Sequence, residues 1–289
     1  DRRQRQMCIR DRLSTDEDIL SVEQLGGMTN QNYLVKTSSN QYIVKFFGKG
    51  TDKLIDRQNE KFNLELLKDL KLDVENYLFD IEAGIKVNQY IENAETLDSI
   101  TIKTKFEKIA PILQTIHASG KELKGEFAPF EEIKKYESLI QGEISYPNYE
   151  VVRKSVFSLK DQLEEIGMDK KSCHIDLVPE NFIEGPDGHL YLIDWEYSSM
   201  NDPMWDLAAL FLESEFTSAE EEDFLSHYES DKTPVSRDKI RIYKILQDII
   251  WSLWTIYKEE NGADFGDYGI SRYNRAVKEL ESEGDLNEN

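Results

Sequence analysis

Three oxygen-bearing side chains in one short stretch carry the clearest chemical signal of this sequence. Asp176 and Asn181 are five residues apart in an H-x-D-x-x-x-x-N string, and Asp194 follows soon after. Between Asn181 and Asp194, two short apolar runs flank Gly-Pro-Asp-Gly, which predicts a β-hairpin that returns Asp194 beside Asn181. Each carboxylate alone would fit a turn or a strand end. The ordered set is what phosphoryl transfer from Mg-ATP requires, namely a base and two oxygen ligands for a hard cation.

The same string resembles the catalytic loop and metal-binding Asp of the kinase-like phosphotransferases. It is most similar to the choline/ethanolamine kinase family, in which the string is followed by I-D-x-E-Y, here residues 193–197. The resemblance implies that Asp176 accepts the proton of a substrate hydroxyl. It also implies that Asn181 and Asp194 bind Mg2+, and that ATP is the phosphate donor.

A small-residue run at 26–30, Gly-Gly-Met-Thr-Asn, joins two predicted strands rather than a strand and a helix. It is therefore neither a Walker loop nor a dinucleotide fingerprint. Small residues at a hairpin tip let backbone N–H groups approach phosphate oxygens, although a plain turn explains them equally well. We expect Gly27, Thr29 and Asn30 to contact the nucleotide.

Lys45 lies in a strand pattern in which it shares a face with the apolar Ile43. A lysine that points inward requires an anion, whereas an exposed strand lysine would be the simpler interpretation of Lys45 alone. The resemblance implies that Lys45 binds the nucleotide phosphates and is held by Glu60 of the following helix. It also implies that Gln89 and Ile91 belong to an interlobe hinge whose backbone binds adenine.

Trp251 and Trp254 lie three residues apart in an apolar segment that predicts a buried helix. Burial in a core is the simple interpretation of both rings. Two stacked indoles also bind a trimethylammonium group by cation–π attraction, and each indole N–H needs a partner. The choline/ethanolamine kinase family carries a W-x-x-W pair followed by F-G and D-Y, which are Phe265-Gly266 and Asp267-Tyr268 here.

The resemblance thus implies ATP-dependent phosphorylation of choline to phosphocholine. Glu213 either holds the cationic substrate or lies on a solvated helix face, and Asp206 is expected to hold the catalytic loop by hydrogen bonds. Ethanolamine kinase, thiamine or aminoglycoside phosphotransferase and non-catalytic pseudokinase remain alternatives. The side chains expected to bind substrate are Glu196, Tyr197, Glu213, Trp251, Trp254 and Tyr268.

The spacing of apolar residues predicts an α+β, protein-kinase-like fold of two lobes. Residues 13–92 would form a nucleotide-binding lobe with a five-stranded antiparallel sheet and one helix over 55–70. Residues 93–289 would form a mostly helical catalytic and substrate-binding lobe. The first lobe's strands are expected at 19–25, 33–37, 41–47, 77–79 and 85–90, and the second lobe's helices at 105–117, 131–141, 150–166, 205–213, 219–228, 239–259 and 271–283.

Composition excludes several classes of partner. A net charge of −22 argues against nucleic acid and anionic membrane surfaces. The sequence lacks an apolar run of transmembrane length, and two cysteines give no disulfide framework, so we expect a cytoplasmic protein. Residues 1–12 hold five of the 11 arginines and are interpreted as non-native or disordered, with a basic functional arm as the alternative.

Overall fold

The computed structural model describes residues 18–26, 30–48, 50–282 and 284. The expectation for residues 1–12 falls outside the described residues. The same holds for Gly27 and Thr29, whose predicted contacts with a nucleotide remain predictions.

The chain divides into two compact units. The first comprises its described residues up to Leu97 together with Glu180–Tyr197, and the second comprises Asp98–Pro179 and the described residues from Ser198 onward. The segment with the predicted hairpin thus belongs to the first unit. The predicted boundary between residues 92 and 93 remains a prediction.

Three sheets are present among the described residues. The largest, in the first unit, is antiparallel with the order β1-β2-β3-β5-β4, which confirms the predicted five-stranded sheet. The hairpin β8–β9 joins β6 in the first unit, and β7 pairs with β10 in the second. The strands are β1 (Ile19–Gln24), β2 (Gln31–Thr37), β3 (Gln41–Phe46), β4 (Asn76–Asp80), β5 (Ile85–Gln89), β6 (Glu95–Thr96), β7 (Lys171–Cys173), β8 (Phe182–Glu184), β9 (Leu190–Leu192) and β10 (Ser199–Asn201).

Alternating side chains give the five-stranded sheet a buried face. Val35, Val44 and Val87 from three neighbouring strands pack together, and β-branched residues suit this pleated, buried surface. The single α-helix among the described residues of the first unit, α1 (Arg57–Leu67), begins where the side chain of Asp56 accepts hydrogen bonds from two backbone N–H groups.

The second unit is mostly helical, as predicted. Its helices are α2 (Phe106–His117), α3 (Pro129–Leu139), α4 (Tyr149–Ile166), α5 (Pro203–Glu213), α6 (Ser218–Tyr228), α7 (Arg237–Glu260) and α8 (Tyr268–Ser282). In the described part of the chain, none of the helices is long and apolar enough to cross a membrane.

Local sequence signals fix the ends of the helices that carry candidate site residues. Asp202 caps α5 by accepting from Met204 N, and Pro203 occupies its first turn. Ser236 caps α7 in the same way. Helix α8 lies close against α7 because Gly269 has no side chain, since a Cβ there would be 2.9 Å from the Thr255 side chain.

Candidate active site

The lysine of β3 and the aspartate after β9 form a direct ion pair in the first unit. Lys45 is buried, and its Nζ lies 2.8 Å from Oδ1 of Asp194. Burial alone would lower the pKa of Lys45, but the carboxylates of Asp194, Glu196 and Glu60 outweigh it and raise that pKa. The ammonium therefore remains charged and available to an anion.

The hairpin places Asp194 beside Asn181, as the sequence predicts. The N–H of Ile193 donates to the backbone carbonyl of Asn181 over 2.8 Å, and this bond ties the two ends of the hairpin together. Asp194 adopts a φ of 69°, an uncommon conformation for a residue with a side chain. Such backbone strain concentrates at functional sites.

The donor set of Asn181 and Asp194 fits magnesium. It offers one amide oxygen and carboxylate oxygens, which are hard ligands, and it is small. Mg2+ is bound by few protein ligands because it keeps waters and substrate phosphates in its coordination shell. These two residues would hold the ion.

The prediction that Glu60 is the carboxylate that holds Lys45 is wrong. Glu60 Oε1 accepts from Lys86 Nζ over 2.9 Å, and Glu60 Oε2 accepts from Arg57 Nη1 over 2.7 Å. Lys86 lies directly across from Lys45 on the adjacent strand β5 and takes the helix carboxylate. Lys45 takes Asp194 instead, although Glu60 is near enough to act on its pKa.

Glu196, predicted to bind substrate, is also occupied within the first unit. Its Oε2 accepts from Arg57 Nη1 over 2.9 Å and from Asn30 Nδ2 over 2.7 Å. Desolvation raises the pKa of Glu196, the nearby Asp194 adds to this, and Arg57 opposes it. We therefore reassign Glu196 from substrate to the charge network around Arg57.

Arg57 is the functional residue that sequence reasoning missed. It joins α1 to Glu196 and to Asn30, whose Oδ1 accepts from Nη2 over 3.0 Å, and its guanidinium lies 4.1 Å from the Phe47 ring centroid. An arginine in the first turn of a helix opposes the helix dipole, so a buried one there requires carboxylates. The position of Arg57 in the first turn of the helix was therefore the sequence signal that could have predicted its carboxylate partners. The side-chain amide of Asn30 is bonded to Glu196 and Arg57, so the predicted contact of Asn30 with the nucleotide would be made by its backbone.

The predicted adenine-binding segment follows β5. The N–H of Gln89 donates to Glu75 O over 2.8 Å, so it is not available to a base. This leaves Ile91 as the candidate backbone donor. The expectation that the backbone of this segment binds adenine remains a prediction.

In the second unit, Asp206 holds the start of the catalytic loop, residues 174–181. Its two carboxylate oxygens accept from the N–H groups of His174 and Ile175, each over 2.8 Å, which confirms its predicted role. The indole N–H of Trp205 donates to the carbonyl of Ile175 over 3.0 Å. Ile175 has a φ of 79°, a costly conformation for a β-branched residue, so these bonds hold the backbone that presents Asp176.

Three buried side chains close to the start of the catalytic loop are not suited to bind a metal ion. His117, Cys173 and Asp206 lie close together. However, both carboxylate oxygens of Asp206 already accept from backbone N–H groups. The ring of His117 is bonded to Asp206 over 3.0 Å and to the Tyr228 hydroxyl over 2.7 Å. Burial raises the pKa of the Cys173 thiol, and a protonated thiol is a poor ligand.

The predicted aromatic surface forms within the second unit. Trp251 and Trp254 of α7 are perpendicular, with centroids 6.5 Å apart and planes at 87°, so the predicted stacking is wrong. Phe265 links Trp254 to Tyr268 at the start of α8, with centroid distances of 5.0 and 6.4 Å. Trp254 is 7% exposed, and the ammonium of Lys258 lies 5.7 Å from its ring centroid.

Tyr268 connects this aromatic surface to charged groups. Burial and the carboxylates of Glu213 and Asp176 raise its pKa to about 12, against the lowering effect of Arg272. The phenol is therefore neutral at ordinary pH. Asp176 and Tyr268 both belong to the second unit. Tyr197, also expected to bind substrate, belongs to the first unit.

Glu213, for which the sequence left two possibilities, is partly exposed and is paired within the protein. Its Oε1 accepts from Arg272 Nη1 over 2.6 Å, and its side chain is 19% exposed. The negative charge expected to attract a cationic substrate is therefore compensated within the protein.

The antiparallel sheet with its single helix, the helical second unit and the catalytic-loop string define a phosphotransferase of the protein-kinase-like fold. The model of the choline/ethanolamine kinase family matches residues 22–239. The chain belongs to the choline/ethanolamine kinase family, as the sequence resemblance implied, and it is an enzyme that phosphorylates an alcohol group.

Similar proteins support this assignment. Protein LicA of Haemophilus influenzae is 33% identical over 269 residues, which cover 89% of this chain and 79% of that protein. The crystal structure of choline kinase LicA from Streptococcus pneumoniae has 76% identity and a TM-score of 0.94, and covers 96% of this chain and 99% of its own. A structure of LicA in complex with AMP has 76% identity and a TM-score of 0.92, with 97% and 98% covered.

Proposed function

We propose that this enzyme transfers the γ-phosphoryl group of Mg-ATP to the hydroxyl of choline and releases phosphocholine. The observation that carries the proposal is the series of ring contacts from Trp251 through Trp254 and Phe265 to Tyr268, in the same unit as Asp176. A trimethylammonium group has no N–H to donate and binds aromatic faces by cation–π attraction. Two similar proteins of known structure, a choline kinase and an AMP complex of LicA, support the same choice.

On the nucleotide side, Lys45 would neutralise phosphate oxygens, and Asn181 and Asp194 would hold magnesium. The ion supplies charge neutralisation at the phosphates during transfer. The Lys45–Asp194 distance of 2.8 Å means that the ammonium and the metal-binding carboxylate are already positioned together. This arrangement is electrostatic preorganisation, the main contribution a protein makes to phosphoryl transfer.

On the acceptor side, Asp176 would accept a hydrogen bond from the choline hydroxyl, orient it for in-line attack and take its proton. The clamp from Asp206 to the backbone of Ile175 limits the movement of this carboxylate. Trp251, Trp254 and Tyr268 would contact the ammonium, with Tyr197 as a further aromatic contact. Correct orientation of two reactants lowers the barrier because little freedom is left to lose in the transition state.

An ADP-release assay with choline, ethanolamine, thiamine and kanamycin tests the proposal. We expect the highest kcat/KM with choline. The matched control is Asp176→Asn, which keeps the side chain's shape and removes the base. Its kcat should fall at least about a hundredfold while ATP binding by calorimetry is retained.

Two outcomes would contradict this function. Turnover of thiamine or kanamycin above that of choline would show a different acceptor class. Near-normal turnover by the Asp176→Asn enzyme would remove that residue from the chemistry, and choline binding without any turnover would favour a non-catalytic protein.

A further inference from the structure

We propose that Arg272 determines which amine the enzyme accepts, because it neutralises Glu213 and so leaves the substrate cation an aromatic surface in place of a free Glu213 carboxylate. This inference rests on the proposed function and names a specificity residue for it. Arg272 lies on α8, four residues after Tyr268, where the two side chains share one helix face.

The contacts of Arg272 place it between the carboxylate and the aromatic surface. Its Nη1 lies 2.6 Å from Glu213 Oε1 and 2.8 Å from the Tyr268 hydroxyl oxygen. Its guanidinium carbon lies 5.3 Å from the Tyr268 ring centroid. Arg272 is 4% exposed and the Glu213 side chain 19%, so salt screens this pair less than it would screen a fully exposed one.

The charge of Arg272 is permanent. Burial alone would lower its pKa, but Glu213, Asp248 and Tyr268 raise it above the already high value of an arginine. The positive partner of Glu213 therefore does not titrate away.

A buried aspartate behind the pair fixes the position of Arg272. Asp248 lies on α7, three residues before Trp251, and its side chain is 2% exposed. Its Oδ1 lies 3.1 Å from Arg272 Nε, and its two oxygens accept from Arg275, each over 2.6 Å. Two arginines and two carboxylates therefore alternate along α7, α8 and the end of α5, with no net charge.

This arrangement favours a quaternary over a primary ammonium. A primary ammonium carries three N–H donors, and a donor left without an acceptor in a desolvated site is strongly unfavourable. Glu213, a carboxylate that acts on the pKa of Tyr268, is already bonded to Arg272. A trimethylammonium group needs no acceptor and loses nothing from this pairing.

The test is the ratio of kcat/KM for choline to kcat/KM for ethanolamine. Replacing Arg272→Met releases the Glu213 carboxylate, which then accepts from a primary ammonium. We expect the ratio to shift toward ethanolamine by about tenfold or more, as for a gained hydrogen bond to a charged group. The double variant Arg272→Met with Glu213→Gln should return the ratio toward that of the original enzyme.

Arg275→Met is the matched control. Arg275 binds the same Asp248 from the same helix, and its guanidinium donates to Asp248 rather than to Glu213 or Tyr268. Its loss should leave the ratio unchanged, even where both kcat/KM values fall with stability. A role of Arg272 in stability alone would lower both values together and leave the ratio constant.

The outcomes separate this inference from the proposed function. Failure of the unaltered enzyme to phosphorylate either amine would refute the proposed function, whatever the variants do. Good turnover of choline with an unchanged ratio in Arg272→Met would overturn the role of Arg272.

Glu213→Gln alone provides a second test that does not require Arg272→Met to fold. Because Glu213 is engaged by Arg272, its replacement should not affect ethanolamine more than choline. A selective loss of ethanolamine turnover would mean that Glu213 binds the amine directly, and this would also overturn the inference.

Discussion

A substitution at Trp254 tests whether its indole contacts the substrate or only packs in the core. It is 7% exposed and contacts Phe265 and Trp251, and a lysine ammonium already lies near its ring. We expect Trp254→Ala to raise the KM for choline about tenfold or more, since a desolvated cation–π contact is worth up to about 2 kcal/mol. The KM for ATP should change less than about twofold, and steady-state kinetics with each substrate varied in turn measures both values.

Trp254→Phe is the control, because it keeps an aromatic ring and should lose less affinity for choline. An equal rise of both Michaelis constants in Trp254→Ala would show that the indole only supports the core.

Residue types were easier to predict than residue partners. The pattern around Lys45 indicates an inward lysine that needs an anion, and the structure confirms this. The choice among carboxylates depends on strand register, because Lys86 lies opposite Lys45 and each lysine needs its own partner. Arg57 was missed because its two carboxylates, Glu60 and Glu196, are distant in sequence from one another.

At the scale of elements, helix α5 controls the catalytic loop through one carboxylate in its first turn. Asp206→Asn replaces one acceptor oxygen by an NH2 group, so His174 N or Ile175 N loses its acceptor. We expect kcat to fall about tenfold or more while the KM for ATP is kept. The free energy of unfolding should fall by about 1–3 kcal/mol, the typical cost of an unsatisfied buried donor. Kinetics and urea unfolding measure the two effects.

Asp202→Asn provides the matched control, because Asp202 caps the same helix and pairs with Lys239 over 2.7 Å. It should lower stability while kcat is largely retained. Equal losses of kcat in the two variants would mean that α5 acts on the loop only through its own stability.

The longer strands and helices could be predicted from local sequence patterns, whereas the shortest strands could not. The five strands of the large sheet and the helices of the second unit were predicted, with ends that differ by a few residues where a cap such as Asp56 decides. Strands β7 and β10 have three residues each and exist because Cys173 pairs with Ser199. Such pairing between distant segments leaves no periodic signal in either segment.

At the scale of the whole molecule, a net charge of −22 makes each additional buried carboxylate unfavourable at neutral pH. At Asp73, which follows α1, the cost of the charge comes first from desolvation. Desolvation raises its pKa from 3.8 to about 6, although Lys86 and a backbone bond from Val74 oppose the shift. The folded state therefore holds this proton more tightly than the unfolded state does.

The sign of the pH dependence follows from that difference. Below pH 3.8 the carboxyl is protonated in both states and has no effect, and between pH 3.8 and about 6 stability falls as pH rises. Asp73→Asn keeps the oxygen that accepts from Val74 N and removes the charge. We expect Asp73→Asn to raise the Tm at pH 8, because it increases the free energy of unfolding there by no more than about 3 kcal/mol. This increase should vanish near pH 4.

Asp98 is the control of opposite sign. It is exposed, and hydrogen bonds from the backbone and side chain of Thr101 lower its pKa, so its charge favours the folded state at neutral pH. Asp98→Asn should therefore lower the Tm at pH 8, and the loss should shrink as the pH falls. A lower Tm for Asp73→Asn at pH 8, or a gain that persists at pH 4, would mean that the lysines near Asp73 outweigh its burial.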